Sequence, residues 1–274
     1  MNTPLLTPIA FIGGGNMASA VIGGLLRSGL LQPSQVLVVE PHAPQRDKLR
    51  ADFGLDALAA GDARLAQAAL VVWAVKPQLF GEAAAPLKAW VGGALHLSVM
   101  AGITTASLGR ATGSTRIVRS MPNTPALIGQ GIAGLFACPD VTAAERAAID
   151  AVLAPTGRTL WVDREADLDA VTALSGSGPA YFFLMVESMM AAAVEMGLTA
   201  EQGRQLSLAT CAGAAALGLA SPESPTVLRE RVTSKGGTTY AAITSMQADG
   251  VDAAIRRAVL AAQRRAAELG AEFG

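Results

Sequence analysis

The hydrophobic and polar positions divide the 274-residue chain into two parts. In the first part, short apolar runs alternate with segments of helical spacing, which is typical of parallel strands joined by helices. Several runs have no polar residue at alternate positions, as expected for strands that are buried on both faces. The predicted strands are 8–12, 36–39, 70–75, 94–99, 116–119, 131–137 and 159–162.

The second part of the chain is helical, because no convincing strand follows from about residue 165. The pattern predicts an α/β fold, with a doubly wound sheet in residues 1–163 and an all-α domain in residues 164–274. The many apolar residues of this modest helical domain indicate that another subunit covers part of it. Its predicted helices are 168–174, 180–196, 201–219, 225–232, 239–248 and 251–269.

A glycine-rich turn joins the first predicted strand to the first helix. Gly13 allows a sharp exit from the strand, Gly15 lets backbone approach a pyrophosphate, and Ala18 lets the helix pack close to the strand. The N-terminus of this helix offers free N–H groups to an anion. Glu40 follows the next strand, about where an acid that binds ribose belongs. These features favour Rossmann-like dinucleotide binding over the alternative, a turn with a structural role only.

Composition argues against several classes of protein. A net charge of −1 does not suit a nucleic-acid surface, which needs clustered basic residues. Cys138 and Cys211 form no CxxC motif, so no disulfide framework is indicated, and a cytoplasmic location is expected. No basic residue precedes the first apolar run, unlike in a secretory signal. His42 and His96 are isolated, so no metal is expected. The uncharged stretch 205–222 favours a buried helix over a membrane span.

A second glycine loop, 234–240, lies in the helical part, where no strand precedes it. Two glycines before a helix free backbone N–H groups, and Ser234, Thr238 and Thr239 add hydroxyls, which makes a seat for a small anion such as a carboxylate. The alternative is a helix break with a threonine cap. The turn Val75-Lys76-Pro77 ends the predicted central strand 70–75, so it is expected to face the cofactor.

Few histidine, tyrosine or lysine side chains are placed to act as a general acid, and this limits the reactions that the chain can catalyse. No histidine follows His96, and Tyr181 and Tyr240 lack a lysine four residues later. Lys76 and Lys235 remain possible acids, although each position is ordinary for a solvated lysine. An imine can be protonated near neutral pH before hydride transfer, so it needs less help than a ketone. An anionic imine is therefore the substrate class that fits this chain best.

Five segments, in their order and spacing, resemble the pyrroline-5-carboxylate reductase family across nearly the whole chain. The resemblance implies reduction of 1-pyrroline-5-carboxylate to L-proline with NADPH or NADH, the last step of proline biosynthesis. It also implies a homodimer or a larger homo-oligomer such as a decamer, whose helical domains interlock. The segments are 11–18, 74–77, 121–125, 174–181 and 234–239.

The resemblance also implies site residues by position. Thr239 would lie near the ring nitrogen and is the expected catalytic residue, and Ser234 would hold the carboxylate. Further substrate positions fall on Glu165, Gly237 and Thr238. The cofactor positions fall on Ile12, Gly13, Gly14, Gly15, Asn16, Met17, Ala18, Ala74, Val75, Lys76, Pro77, Val99, Met100 and Ala101.

Glu40 departs from the family, in which many members carry a small polar residue, often followed by arginine. A carboxylate there would repel a 2′-phosphate and favour NADH, but His42 and Arg46 could compensate, so the coenzyme preference stays open. Two other functions stay open as alternatives. One is reduction of another small imine, and the other is a non-catalytic nucleotide sensor. A β-hydroxy acid reductase would need a lysine within 180–196, and this stretch has none.

Overall fold

The structure, a computed structural model, describes residues 5–273. These residues form two compact units. One unit comprises the chain through Gly176 together with the residues from Ala262 onward, and the other comprises Ser177–Ala261. The division of function at residues 163 and 164 stays a prediction.

The first unit is built on a seven-stranded sheet with the order β2-β1-β3-β4-β5-β6-β7. All neighbouring pairs are parallel except β5 and β6. A parallel return needs a long crossover, whereas β5 and β6 are joined only by a 3-10 helix at Thr124–Ile128, so β6 runs back antiparallel. The strands are β1 Ile9–Ile12, β2 Val36–Val39, β3 Leu70–Trp73, β4 Leu95–Ser98, β5 Ile117–Met121, β6 Gly131–Ala137 and β7 Gly157–Trp161.

Helices cover both faces of this sheet, which confirms the doubly wound fold. Successive residues of β1 point to opposite faces: Ile9 and Phe11 join one apolar core, and Ala10 and Ile12 join another. This two-sided burial explains the apolar runs without alternation. The helices are α1 Asn16–Arg27, α2 Ala43–Phe53, α3 Phe80–Ala84, α4 Lys88–Val91, α5 Thr105–Thr112, α6 Ala143–Leu153 and α7 Asp167–Val171.

Several predicted boundaries in this unit were wrong. The strand predicted at 70–75 ends at Trp73, because Val75 is apolar as part of a cleft wall and not as part of the sheet. The strand predicted at 116–119 continues to Met121, where its ladder with β6 ends before Pro122. The helix predicted at 168–174 ends at Val171 and gives way to a π-helical turn, and α3 and α4 were not predicted.

The second unit is entirely helical, as predicted. Gly203 of α9 lies so close to α8 that a Cβ there would be 2.9 Å from Ala193 Cβ. The prediction that 205–222 is buried was wrong for the single chain, since α9 is largely exposed. The helices are α8 Gly178–Glu195, α9 Ala200–Ala220, α10 Pro225–Arg231, α11 Thr238–Ala248 and α12 Val251–Phe273, whose last turns belong to the first unit.

One helical run of the described residues, Asp167–Glu195, is long and apolar enough to cross a membrane by length and composition alone. Only 17% of its apolar window is buried within the chain. A helix that a partner subunit covers passes the same test, so this run does not by itself distinguish a membrane from a protein interface.

Candidate active site

The turn between β1 and α1 requires its first glycine. Gly13 has φ of +94°, and a Cβ there would lie 2.6 Å from the Ala74 carbonyl oxygen. Its N–H donates to the Val39 carbonyl at 2.8 Å. Gly13 is therefore held at the carboxyl ends of β1, β2 and β3, where ligands bind in open parallel sheets.

The start of α1 is open. Gly15 is the N-cap residue, and no side chain caps the helix. A Cβ on Gly15 would meet no heavy atom of the described residues within 4 Å. The helices α5 and α6, in contrast, are capped by Thr104 and Thr142. An uncapped helix start beside free space fits a pyrophosphate, because it presents unpaired N–H groups and a partial positive charge.

A cleft of about 350 Å³ adjoins the glycine turn. It lies at the carboxyl edge of the sheet and is mostly apolar, so it suits the adenosine part of a dinucleotide. Its walls come from Ile12, Gly13, Val39, Pro41, Ala59, Ala60, Gly61, Val75, Leu79, Glu82, Ala83, Pro86 and Leu87.

The structure brings the other predicted cofactor positions to the same edge of the sheet. Ala74–Pro77 follows β3, and Lys76 there is exposed. Val99–Ala101 follows β4, and the Met100 N–H donates to the buried Ser98 hydroxyl at 3.3 Å. Of the predicted residues in α1, Asn16 is exposed, whereas Met17 is half-buried and Ala18 is buried. These segments therefore lie at the carboxyl ends of the neighbouring parallel strands β1, β3 and β4, and their contact with a cofactor stays a prediction.

Glu40 contacts the glycine turn directly. Its Oε2 accepts a hydrogen bond from the Gly14 N–H at 2.9 Å, and its Oε1 accepts one from the His42 N–H at 2.8 Å. Arg46 does not pair with this carboxylate; its Nη1 donates to the carbonyl oxygens of Glu40 and Pro41. The acid predicted from its position after β2 therefore lies against the predicted phosphate cradle.

Glu165 is held by three donors within the first unit. Oε1 accepts from the Thr105 N–H and from Arg119 Nη1, both at 2.7 Å, and Oε2 accepts from the Thr105 hydroxyl at 2.6 Å. Burial alone would raise the pKa of Glu165, but the hydrogen bonds from Thr105 and Arg119 outweigh it and lower the pKa. Glu165 is therefore an ionised carboxylate whose position is fixed by α5 and β5.

Sequence reasoning missed Thr105 and Arg119. Arg119 is only 8% exposed, and its Nε has no hydrogen-bond partner among the described residues. The available signal was a charged residue at the end of an apolar run, since such a residue is rarely buried without a partner.

The second glycine loop forms the start of α11. Gly236 has φ of +76°, and the Gly237 N–H donates to the Ser234 carbonyl at 3.0 Å. Gly237 is the N-cap residue, so the alternative of a threonine-capped break was wrong. Ser234 and Thr238 are exposed, and Thr239 is half-buried. The first turn of α11 thus offers uncapped N–H groups beside hydroxyls, an arrangement that can bind a carboxylate.

Residues 174–176 begin the last but one of the five segments that carry the family resemblance, and within the first unit they pack against the end of β5. The Ser175 hydroxyl donates to the Val171 carbonyl at 3.0 Å. A Cβ on Gly176 would lie 2.6 Å from Met121 Cε, so this glycine permits close approach of the π-helical turn to the end of β5. The segment 121–125 and the segment 174–181 therefore meet through Met121 and Gly176.

Comparisons with known proteins match both units. Residues 8–102 match the family described as NADP oxidoreductase, coenzyme F420-dependent, and residues 165–269 match the family described as pyrroline-5-carboxylate reductase dimerisation. Pyrroline-5-carboxylate reductase of Pseudomonas aeruginosa is 45% identical over an alignment that spans all of both chains.

Solved structures agree with these matches. The structure of a Coxiella burnetii pyrroline-5-carboxylate reductase is 35% identical, with a TM-score of 0.89 over 96% of this chain and 98% of that one. The crystal structure of Plasmodium falciparum pyrroline carboxylate reductase with NADP bound is 26% identical, with a TM-score of 0.85 over 98% and 99% of the two chains. The glycine turn, the start of α11 and these full-length matches together show that the chain belongs to the pyrroline-5-carboxylate reductase family.

Proposed function

We propose that this protein reduces 1-pyrroline-5-carboxylate to L-proline with NADPH or NADH, the last step of proline biosynthesis. The observation that carries the proposal is the start of α11, where a glycine N-cap leaves backbone N–H groups unpaired beside Ser234. A small anionic ring is the kind of substrate that such a site binds.

The substrate carboxylate is assigned to this helix start. Ser234 donates its hydroxyl, and the N–H groups that follow Gly237, beginning with Thr238, complete the seat. The positive end of the helix dipole adds to the attraction for an anion. Glu165 is assigned to the substrate as well, and its three donors fix its carboxylate within the first unit.

Thr239 is assigned to the ring nitrogen. Reduction adds a hydride to the imine carbon and leaves a proton on the nitrogen, so the C=N bond becomes an amine. The segments at the sheet edge would hold the nicotinamide, and this group would supply the hydride when bound. The Thr239 hydroxyl orients the nitrogen, which solvent can protonate beforehand, so its contribution is positioning and one hydrogen bond.

The dinucleotide is assigned to residues 1–163, and substrate binding and dimerisation are assigned to 164–274. Ile12–Ala18 would hold the pyrophosphate, and Ala74–Pro77 and Val99–Ala101 would flank the nicotinamide. The uncapped start of α1 and the cleft beside Gly13 support this placement.

The protein is proposed to act as a homodimer or a larger homo-oligomer such as a decamer, in the cytoplasm. The helices α8 and α9 expose large apolar side chains over much of their length, including Phe183 and Leu206. Exposed apolar surface of this extent is typical of a subunit interface.

The reaction is tested by following absorbance at 340 nm with pyrroline-5-carboxylate and either coenzyme, and by identifying proline as the product. Oxidation of a coenzyme with proline formed in equal amount is the expected result. No turnover by protein shown to be folded and oligomeric would contradict the proposal and favour another imine or a nucleotide sensor.

Two variants test the assigned residues. Ser234→Ala should raise KM for the substrate about tenfold, the value of one hydrogen bond to a charged group. Thr239→Ala should lower kcat about tenfold without abolishing turnover. Ser245→Ala and Thr244→Ala, exposed positions further along α11, are the matched controls and should behave as wild type. A Thr239→Ala variant with unchanged kinetics would contradict its assignment.

A further inference from the structure

The Glu40 carboxylate bridges two segments of backbone. It accepts one hydrogen bond from Gly14 in the glycine turn and one from His42 at the start of α2, at 2.9 and 2.8 Å. Glu40 directly follows β2, whose parallel register places Val39 beside Ile12. The sheet therefore fixes the backbone next to Glu40, and the two hydrogen bonds fix its carboxylate.

Both backbone polar groups of Gly14 form hydrogen bonds with side chains. Its N–H donates to Glu40, and its carbonyl accepts from Gln45 Nε2 at 2.5 Å and from the Ser19 hydroxyl at 3.2 Å. A Cβ at this position would lie 2.6 Å from Leu49 Cδ1. The carboxylate is thus part of the structure that shapes the proposed phosphate cradle.

Each carboxylate oxygen of Glu40 keeps acceptor capacity, because it accepts only one of these bonds and has two lone pairs. The adenosine ribose of NADH has free 2′- and 3′-hydroxyls, which can donate hydrogen bonds to these remaining lone pairs. Binding of these hydroxyls is the usual role of an acid after the second strand of a dinucleotide-binding fold. A 2′-phosphate has no comparable donor and brings negative charge next to the carboxylate. A carboxylate at this position therefore attracts NADH and repels NADPH.

No basic side chain among the described residues pairs with the Glu40 carboxylate. Arg46, the candidate for neutralising a 2′-phosphate, donates Nη1 to the carbonyl oxygens of Glu40 and Pro41 at 2.9 and 2.6 Å. Arg50, one turn further along α2, pairs with Asp56. The negative charge at the ribose position is therefore not offset by the arginines of this helix.

We propose that Glu40 selects the coenzyme of this chain, so that NADH binds in preference to NADPH. The carboxylate does so in two ways, by accepting from ribose hydroxyls and by excluding a 2′-phosphate. This inference rests on the proposed dinucleotide binding at the glycine turn and names the coenzyme for that site.

Direct binding tests the inference without catalysis. The purified oligomer is titrated by calorimetry with NADH and NADPH, and with adenosine 5′-phosphate and adenosine 2′,5′-bisphosphate as fragments that lack nicotinamide. We expect NADH to bind at least about tenfold more tightly than NADPH, and the fragments to show the same order. Glu40→Gln keeps the size of the side chain and one acceptor but removes the charge. It should lower the ratio of NADH affinity to NADPH affinity about tenfold.

Matched variants separate Glu40 from general electrostatics. Asp47→Asn removes a charge from an exposed position on α2, the helix that follows Glu40, and should leave the ratio of NADH affinity to NADPH affinity unchanged. Arg46→Gln should also leave the ratio unchanged, whereas a selective loss of NADPH binding would show that Arg46 holds the phosphate and would overturn the inference.

The remaining outcomes are distinct. Equal or tighter binding of NADPH by the wild type would overturn the assignment of Glu40 and leave the proposed reaction standing. Failure of folded protein to bind either coenzyme would overturn the proposed function together with this inference. The comparison of the two fragments on wild-type protein decides the question even where Glu40→Gln does not fold.

Discussion

The guanidinium of Arg119 donates to the carboxylate of Glu165 at 2.7 Å, across 46 positions of sequence. The pair joins β5 to the segment before α7, and Arg119 is almost completely buried. We expect Arg119→Met to lower the free energy of unfolding by about 3 kcal/mol, because it leaves the half-buried carboxylate without its cation. Urea unfolding at neutral pH and fixed protein concentration measures this loss.

The double variant Arg119→Met with Glu165→Gln separates charge from packing. It should be more stable than Arg119→Met alone, because no buried charge is left unpaired. Arg50→Met, which breaks an exposed pair with Asp56, should cost less than about 1 kcal/mol. Equal losses in the single and double Arg119 variants would show that the effect comes from packing and not from the ion pair.

His96 makes the first unit sensitive to acid. It is fully buried in β4, and Nδ1 accepts a hydrogen bond from Trp73 Nε1 at 3.0 Å. Burial lowers the pKa of His96 from 6.5 to about 4. Protonation would also place an N–H at Nδ1 opposite the indole N–H, so the folded state resists it.

The sign of the pH dependence follows from this lowered pKa. Between pH 6.5 and about 4 the unfolded chain binds a proton that the folded chain does not, so stability falls as pH falls through this window. The full loss approaches about 3 kcal/mol. His96→Gln keeps an acceptor for Trp73 but does not titrate in this range, so it should lose less stability on acidification. Urea unfolding at a series of pH values compares the two proteins, and parallel curves would contradict this role of His96.

Local patterns in the sequence were sufficient for much of this fold. Apolar runs without alternation identified the strands, because both faces of the sheet are covered and nearly every residue of β1 or β3 is buried. The glycine turn was readable because Gly13 has a positive φ and no room for a side chain. These requirements act on neighbouring residues, so they leave a mark in the sequence.

Interactions between distant residues left no such mark. The pairing of Arg119 with Glu165 depends on how β5 and the segment before α7 are brought together. The apolar run before Arg119 signals a buried charge but does not identify its partner. The antiparallel direction of β6 depends on the missing crossover after β5. At α11 the sequence left a threonine-capped break open as an alternative to an anion site, and only the backbone geometry identifies Gly237 as the N-cap.

Substitution by alanine should affect the stability of the fold at Gly13 but not at Gly15, although both lie in the same turn. Gly13→Ala forces a Cβ to 2.6 Å from the Ala74 carbonyl at φ of +94°, so it should destabilise the fold by more than about 1 kcal/mol. Gly15 has φ of −67° and free space around its Cβ position, so Gly15→Ala should leave the melting temperature unchanged.

Coenzyme binding distinguishes the two variants further. The added methyl group of Gly15→Ala lies where the pyrophosphate is proposed to approach the backbone, so affinity for NADH should fall at least about tenfold. Fluorescence titration with NADH and differential scanning fluorimetry measure both quantities. A Gly15→Ala variant that binds NADH as wild type does would contradict the proposed pyrophosphate position.

The exposed surface of α8 predicts that the isolated chain is incomplete. Phe182, Phe183, Leu184 and Met185 are successive residues, yet they are 55%, 58%, 64% and 48% exposed. Successive helical positions point in different directions, so more than one face of this helix is uncovered. Phe183→Asp should therefore reduce the oligomer to smaller species, because it places a charge in an apolar interface.

Light scattering coupled to size-exclusion chromatography measures the mass of each species. Leu30→Asp, which changes an exposed leucine of the first unit in the same way, is the matched control and should keep the wild-type mass. A wild-type protein that is monomeric in buffer would contradict the interface. A requirement for detergent to keep it in solution would instead assign the exposed face of α8 to lipid, since lipid and a partner helix are the two surroundings that suit such a face.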